Sequence, residues 1–147
     1  MKPEKEKAPL NILLADDDTD DCFFFDQALK EIPIVNHLTI VHDGEQLMNY
    51  LSENSDNLPT ILFLDLSMPR KTGFECLSEI RENKKLKDLH VVMFSTSFPR
   101  DFDYEKNMIK MLYEIGAQDY IRKPGNFTEL KQVIHNVLIK VIEKKVE

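Results

Sequence analysis

The stretch Ile61-Leu62-Phe63-Leu64-Asp65-Leu66-Ser67-Met68-Pro69 decides how the rest of the chain is read. Its four consecutive large apolar residues predict a strand buried on both faces, since a strand with one wet face alternates apolar and polar positions. A carboxylate follows at once, and Pro69 and Gly73 turn what comes next into a loop. The stretch is a buried strand that ends on an acid.

The same pattern recurs on both sides of it. Asn11 to Ala15 is an apolar run followed by Asp16, Asp17 and Asp18; Val91 to Phe94 is another, followed by Ser95 and Thr96. Leu38 to Val41 and the shorter Tyr120 to Arg122 complete the set, the latter followed by Lys123-Pro124. Between the runs lie helical patterns: Thr19 to Glu31, ended by Pro33; Glu45 to Leu51, opened by Asp43-Gly44; Phe74 to Arg81; and Tyr104 to Ile115. Gly116 suits a helix end that needs a left-handed backbone. The last helix begins near Asn126, where Asn126 and Glu129 have capping-box spacing, and carries a stripe of Phe127, Leu130, Val133, Ile134, Val137, Leu138, Val141 and Ile142. Strands alternating with helices predict a doubly wound α/β fold, with a five-stranded parallel sheet and five helices. Residues 1–9 read as a disordered, charged tail closed by Pro9, and 10–147 as a single domain with no internal repeat.

Composition narrows the function classes. A net charge of −7, from 19 basic and 26 acidic residues, argues against a nucleic-acid surface as the main function. No apolar stretch reaches the ~20 residues of a membrane helix, and the charged start has no signal-peptide core, so no membrane association and a cytoplasmic location are expected. Cys22 and Cys76 have no metal-ligand spacing and are expected as reduced thiols within helices. His37, His42, His90 and His135 are scattered. Phe23, Phe24 and Phe25 cannot all face inward on one helix, so at least one is expected to be exposed.

In an open parallel sheet the working site lies beyond the carboxyl ends of the strands. That rule gathers Asp16, Asp17, Asp18, Asp65, Ser95-Thr96 and Lys123 at one edge. Carboxylates this close repel one another unless one is protonated or a cation intervenes. A small hard cation such as Mg²⁺ suits one or two carboxylates with waters and phosphate oxygens. Asp65 is then a nucleophile for phosphorus. Transfer chiefly requires neutralised phosphoryl oxygens, which the cation, Lys123 and Ser95 can provide.

ILLADDD, ILFLDLSMP with Gly73, VVMFSTS and GAQDYIRKP, in that order, resemble the receiver domain of bacterial two-component response regulators. The resemblance runs from about Asn11 to the last helix. It implies a flavodoxin-like fold with strand order 2-1-3-4-5. It also implies a metal site for Mg²⁺ or Mn²⁺ made by Asp16, Asp17, Asp65 and the Ser67 backbone carbonyl, with Asp17 the more direct ligand and Asp16 acting partly through water. Asp65 corresponds to the phosphoacceptor, Ser95 to the hydroxyl that swings toward the phosphoryl group, Tyr120 to the aromatic switch, and Lys123 to the family's lysine, with a cis bond to Pro124. The implied partners are a sensor histidine kinase or histidine phosphotransfer protein and a downstream protein, with a homodimer as a further option. No output domain follows, which implies a stand-alone regulator whose only catalysis is its own phosphorylation and dephosphorylation. Asp18, Asp20 and Asp21 are extra, and read as solvated acids at a helix N-terminus.

Two departures stand out. Ser67 occupies a position where many relatives carry asparagine, and the segment from Ser95 to Gly116 is longer than the family's usual form. Two rival readings compete with this one. Asp16-Asp17-Asp18-Thr19 also resembles the nucleophile loop of haloacid dehalogenase phosphatases, but those need a further acidic motif, and no aspartate follows Lys123. A degenerate receiver that only binds would be expected to have lost one of Asp16, Asp17, Asp65, Ser95 or Lys123, and all are present.

Overall fold

The structure, a computed structural model, describes residues 9–96 and 102–146. The expected charged tail therefore falls almost wholly outside the described residues, as does the start of the long segment after Ser95.

Five strands alternate with five helices: β1 (Leu10–Ala15), α1 (Thr19–Glu31), β2 (Asn36–Val41), α2 (Gly44–Glu53), β3 (Ile61–Leu64), α3 (Gly73–Glu82), β4 (Val91–Ser95), α4 (Phe102–Ile115), β5 (Asp119–Arg122) and α5 (Phe127–Val146). All strand pairs are parallel, in the order β2-β1-β3-β4-β5. This is the doubly wound, flavodoxin-like arrangement, and its elements coincide with those read from the sequence to within a few residues at each end.

Strand periodicity divides the core in two. Leu13, Ala15, Leu62, Leu64, Val91 and Met93 face one side, where Leu47, Leu51, Leu77, Ile80, Met108 and Leu112 of α2, α3 and α4 cover them. Ile12, Leu14, Ile61, Phe63, Val92 and Phe94 face the other, under Phe25, Leu29, Ile134, Val137 and Leu138 of α1 and α5. Both faces are thus covered by helices, which is why the central strands could be apolar throughout. Of the three adjacent phenylalanines on α1, Phe25 is buried while Phe23 and Phe24 are exposed, as expected from helical geometry. Both cysteines are buried free thiols.

Local chemistry sets the helix ends. Asp18 and Asp43 cap α1 and α2 through side-chain oxygens that accept from Asp21 N–H and Gln46 N–H. Thr72 and Glu75 form a full capping box at α3. At α5, Asn126 accepts from Glu129 N–H. Gly116 ends α4 at φ +128°, a conformation that L side chains rarely adopt. Arg81 from α3 lies against Gly116 and donates to the carbonyls of Gly116, Lys87 and Leu89 and to the Gln118 side chain. It satisfies backbone acceptors of two loops at once.

Candidate functional site

The residues that close the site are positioned by backbone bonds that extend the ladder one residue beyond the strands. Asp16 N–H donates to Val41 O at 3.0 Å, Asp65 N–H to Ala15 O at 3.0 Å, and Lys123 N–H to Ser95 O at 2.7 Å. Each functional side chain therefore leaves from a backbone position fixed by its neighbouring strand. The β3–α3 connection turns sharply at Arg70, which sits at φ +71° with Lys71 N–H donating to Pro69 O. Gly73 then brings α3 so close that a Cβ there would lie 2.3 Å from the Asp65 carbonyl oxygen, so only glycine fits.

Asp16, Asp17 and Asp65 converge, with one carboxylate oxygen of each lying within 4.8 Å of the others. Asp16 and Asp65 are buried and Asp17 is exposed. Burial pushes the Asp65 carboxyl up to about 7; Lys123 pulls it back, and Asp16 adds to the rise. An all-oxygen set of crowded carboxylates, one of them driven toward its neutral form, fits a hard divalent cation that would relieve the repulsion. Ser67 lies just beyond, its N–H donating to Asp65 Oδ1 at 3.3 Å.

Lys123 reaches into this cluster from the end of β5. Its Nζ lies 2.7 Å from Asp16 Oδ2, 2.9 Å from Asp21 Oδ2 and 3.5 Å from Asp65 Oδ2, and 5.6 Å from the centre of the Phe94 ring. Burial alone would push its ammonium pKa down, but the hydrogen bonds to Asp16 and Asp21 outweigh that, and the pKa is raised. The pairing with Asp21 corrects the reading of that residue as a solvated acid. Being one turn into α1 directs it at the lysine instead. The Lys123–Pro124 bond is also a correction: no cis peptide bond occurs among the described residues. Trans is the lower-energy form of an X–Pro amide, and it prevails here.

Ser95 is buried, and its hydroxyl donates to Thr96 O at 3.2 Å. Half-buried Tyr120 donates its phenol hydrogen to Glu105 Oε2 at 3.2 Å. Burial, then Glu105, push that phenol up to about 12, with Arg122 and the Ser95 hydroxyl acting the other way. Glu105, on α4, is itself buried, and Arg122 pairs with it. The sequence reading missed Glu105. The available signal was its spacing, since it stands three and seven residues before Met108 and Leu112 on the buried stripe of α4. Cys22 donates to Asp16 O at 3.5 Å, with burial and then Asp16 pushing its thiol up to about 12, which leaves it inert as a nucleophile.

Comparison with known proteins agrees with this geometry. The response regulator receiver domain family model matches residues 12–135, and the chain belongs to that family. Among individual proteins it is similar to the response regulator Rcp1 of Synechocystis sp., 30% identical over 139 residues, covering 91% of this chain and 90% of the relative. Among solved structures it resembles the Mn²⁺-bound form of Rcp1, with TM-score 0.74 and 31% identity over 88% of this chain and 91% of that one. It also resembles the phosphorylated cyanobacterial phytochrome response regulator RcpA, with TM-score 0.76 and 30% identity over the same shares. No helix among the described residues is long and apolar enough to cross a membrane.

Proposed function

We propose that the chain is a stand-alone receiver that takes a phosphoryl group onto Asp65 with Mg²⁺, from a histidine kinase or histidine phosphotransfer protein, in the cytoplasm. The observation that carries this reading is the convergence of Asp16, Asp17 and Asp65 on one point with Lys123 beside them. A divalent ion held by these acids, with the Ser67 carbonyl as a further ligand, supplies charge neutralisation for the phosphoryl oxygens.

The chain's own residues do the rest. An Asp65 carboxylate oxygen attacks phosphorus, the P–N bond to the donor imidazole breaks, and its electron pair leaves with the ring. The product is an acyl phosphate at Asp65, with Lys123 and Ser95 facing its oxygens. Water attack on phosphorus later returns the carboxylate and inorganic phosphate. The protein acts on no other substrate; its output is a changed docking surface. Movement of Ser95 toward the phosphoryl group vacates space for Tyr120, whose phenol then leaves Glu105 and loosens α4 from β5. RcpA is named as a phytochrome response regulator, so a photosensory kinase is the first protein donor to try.

The test is incubation with acetyl phosphate, with and without Mg²⁺, read by intact mass. The natural chain gains one phosphoryl group, about 80 Da, only with Mg²⁺, and Asp65→Asn gains none. No gain in the natural chain, or an equal gain in Asp65→Asn, overturns the reading.

A further inference from the structure

Three carboxylates surround the Lys123 ammonium, and two of them have other roles. Asp16 belongs to the converging acid group, and Asp65 is the nucleophile in the function proposed above. Asp21 is outside that group, and among the described residues its carboxylate is bonded to Lys123, at 2.9 Å. Its availability follows from how α1 starts. Asp21 occupies the third helical position, where an acid commonly folds back onto the capping residue's N–H, as Glu75 does onto Thr72. Here that donor is taken: Asp18 N–H bonds Asp16 Oδ1 at 2.9 Å. Asp21's own N–H is held by Asp18 Oδ1, which fixes its backbone and leaves its carboxylate to turn toward Lys123.

We infer that Asp21 is a positioning residue for Lys123. A lysine stem is flexible, and its compact charge goes to whichever anion is nearest. With Asp16 engaged by a cation, an ammonium without Asp21 would close onto Asp65 and cover the attacking oxygen. Asp21 holds it back. The 3.5 Å gap to Asp65 Oδ2 exceeds hydrogen-bond length, whereas the bonds to Asp16 and Asp21 fall within it. That gap keeps the ammonium off Asp65 Oδ2 and sets it beside the place an arriving phosphoryl oxygen takes. The inference rests on the phosphoacceptor reading and assigns the residue that prepares its lysine.

The experiment is a double-mutant cycle on the full chain, with acetyl phosphate and saturating Mg²⁺. Asp21→Asn is expected to slow phosphorylation about fivefold when Lys123 is present and to change nothing in a Lys123→Met background. Equal slowing in both backgrounds, no slowing, or faster phosphorylation overturns the inference. A second readout needs no phosphoryl chemistry: in ¹³C-lysine-labelled protein without donor, the Lys123 Cε signal, assigned by its loss in Lys123→Met, shifts in Asp21→Asn. An unmoved signal also overturns the inference. Should Asp21→Asn melt early, Asp21→Ser, which keeps the backbone N–H that Asp18 holds, replaces it in both arms. If the natural chain takes no phosphoryl group while the lysine signal does shift, the phosphoacceptor reading fails and takes the catalytic role of Asp21 with it. If the natural chain is phosphorylated and the cycle shows no coupling, the inference about Asp21 alone fails.

Discussion

Asp65→Asn is expected to make the metal-free protein more stable above pH 7 while abolishing phosphorylation. Burial raises the Asp65 pKa from 3.8 to about 7, so between those values the folded state holds a proton that the unfolded state has lost. Stability contributed by that proton is complete below pH 3.8 and is lost as pH rises through 7. The cost of the charged form is on the order of 4 kcal/mol, and an uncharged asparagine recovers a part, about 1–3 kcal/mol, because Lys123 loses a partner in the exchange. Urea unfolding in chelator at several pH values measures it. The gap between mutant and natural chain should open between pH 4 and 7, and Mg²⁺ should close it by stabilising the natural chain alone. A mutant that is less stable at pH 8 would mean that Asp65 is mainly a structural partner of Lys123.

The largest loss of stability is expected from Phe63→Ala, at about 3–5 kcal/mol. Phe63 is fully buried in the middle strand, with its ring edge-on to Phe25 at 4.9 Å and to Phe94 at 6.0 Å. These rings join α1 to the sheet, and Phe94 lies under the Lys123 ammonium. Removing the middle ring leaves a cavity that fixed backbones on both sides cannot close. Urea unfolding should show a lower midpoint with an unchanged slope. A loss below about 1 kcal/mol would mean that the helices above can collapse into the gap.

The fold was legible because its strongest signals are local. Ile61 to Leu64 and Val91 to Phe94 are apolar at every position, and runs that short, bounded by turn residues, suit a strand covered on both faces. The site was legible for a related reason: in a parallel sheet, the residue after each strand is delivered to one edge by the backbone ladder, so Asp16, Asp65 and Lys123 needed no knowledge of side-chain packing. What stayed hidden depends on contacts between distant segments. Asp21 looked like any acid favoured by a helix N-terminus, and its turn toward Lys123, 102 residues away, follows from Asp16 occupying the capping donor. Glu105 carried a local signal only in its place on the buried stripe of α4; its partners Tyr120 and Arg122 come from β5. The trans Lys123–Pro124 bond departs from an expectation drawn from resemblance alone. Nothing local in the sequence carried it.

Locating the phosphoryl group decides whether Asp65 itself carries it. The chain is treated with acetyl phosphate and Mg²⁺, reduced with borohydride, which converts an acyl phosphate to an alcohol, and mapped by peptide mass spectrometry. Homoserine is expected at position 65, with Asp16, Asp17 and Asp21 unchanged. Homoserine at another aspartate, or a label that survives as a phosphoserine at Ser95 or Ser67, would mean that Asp65 is not the phosphoacceptor.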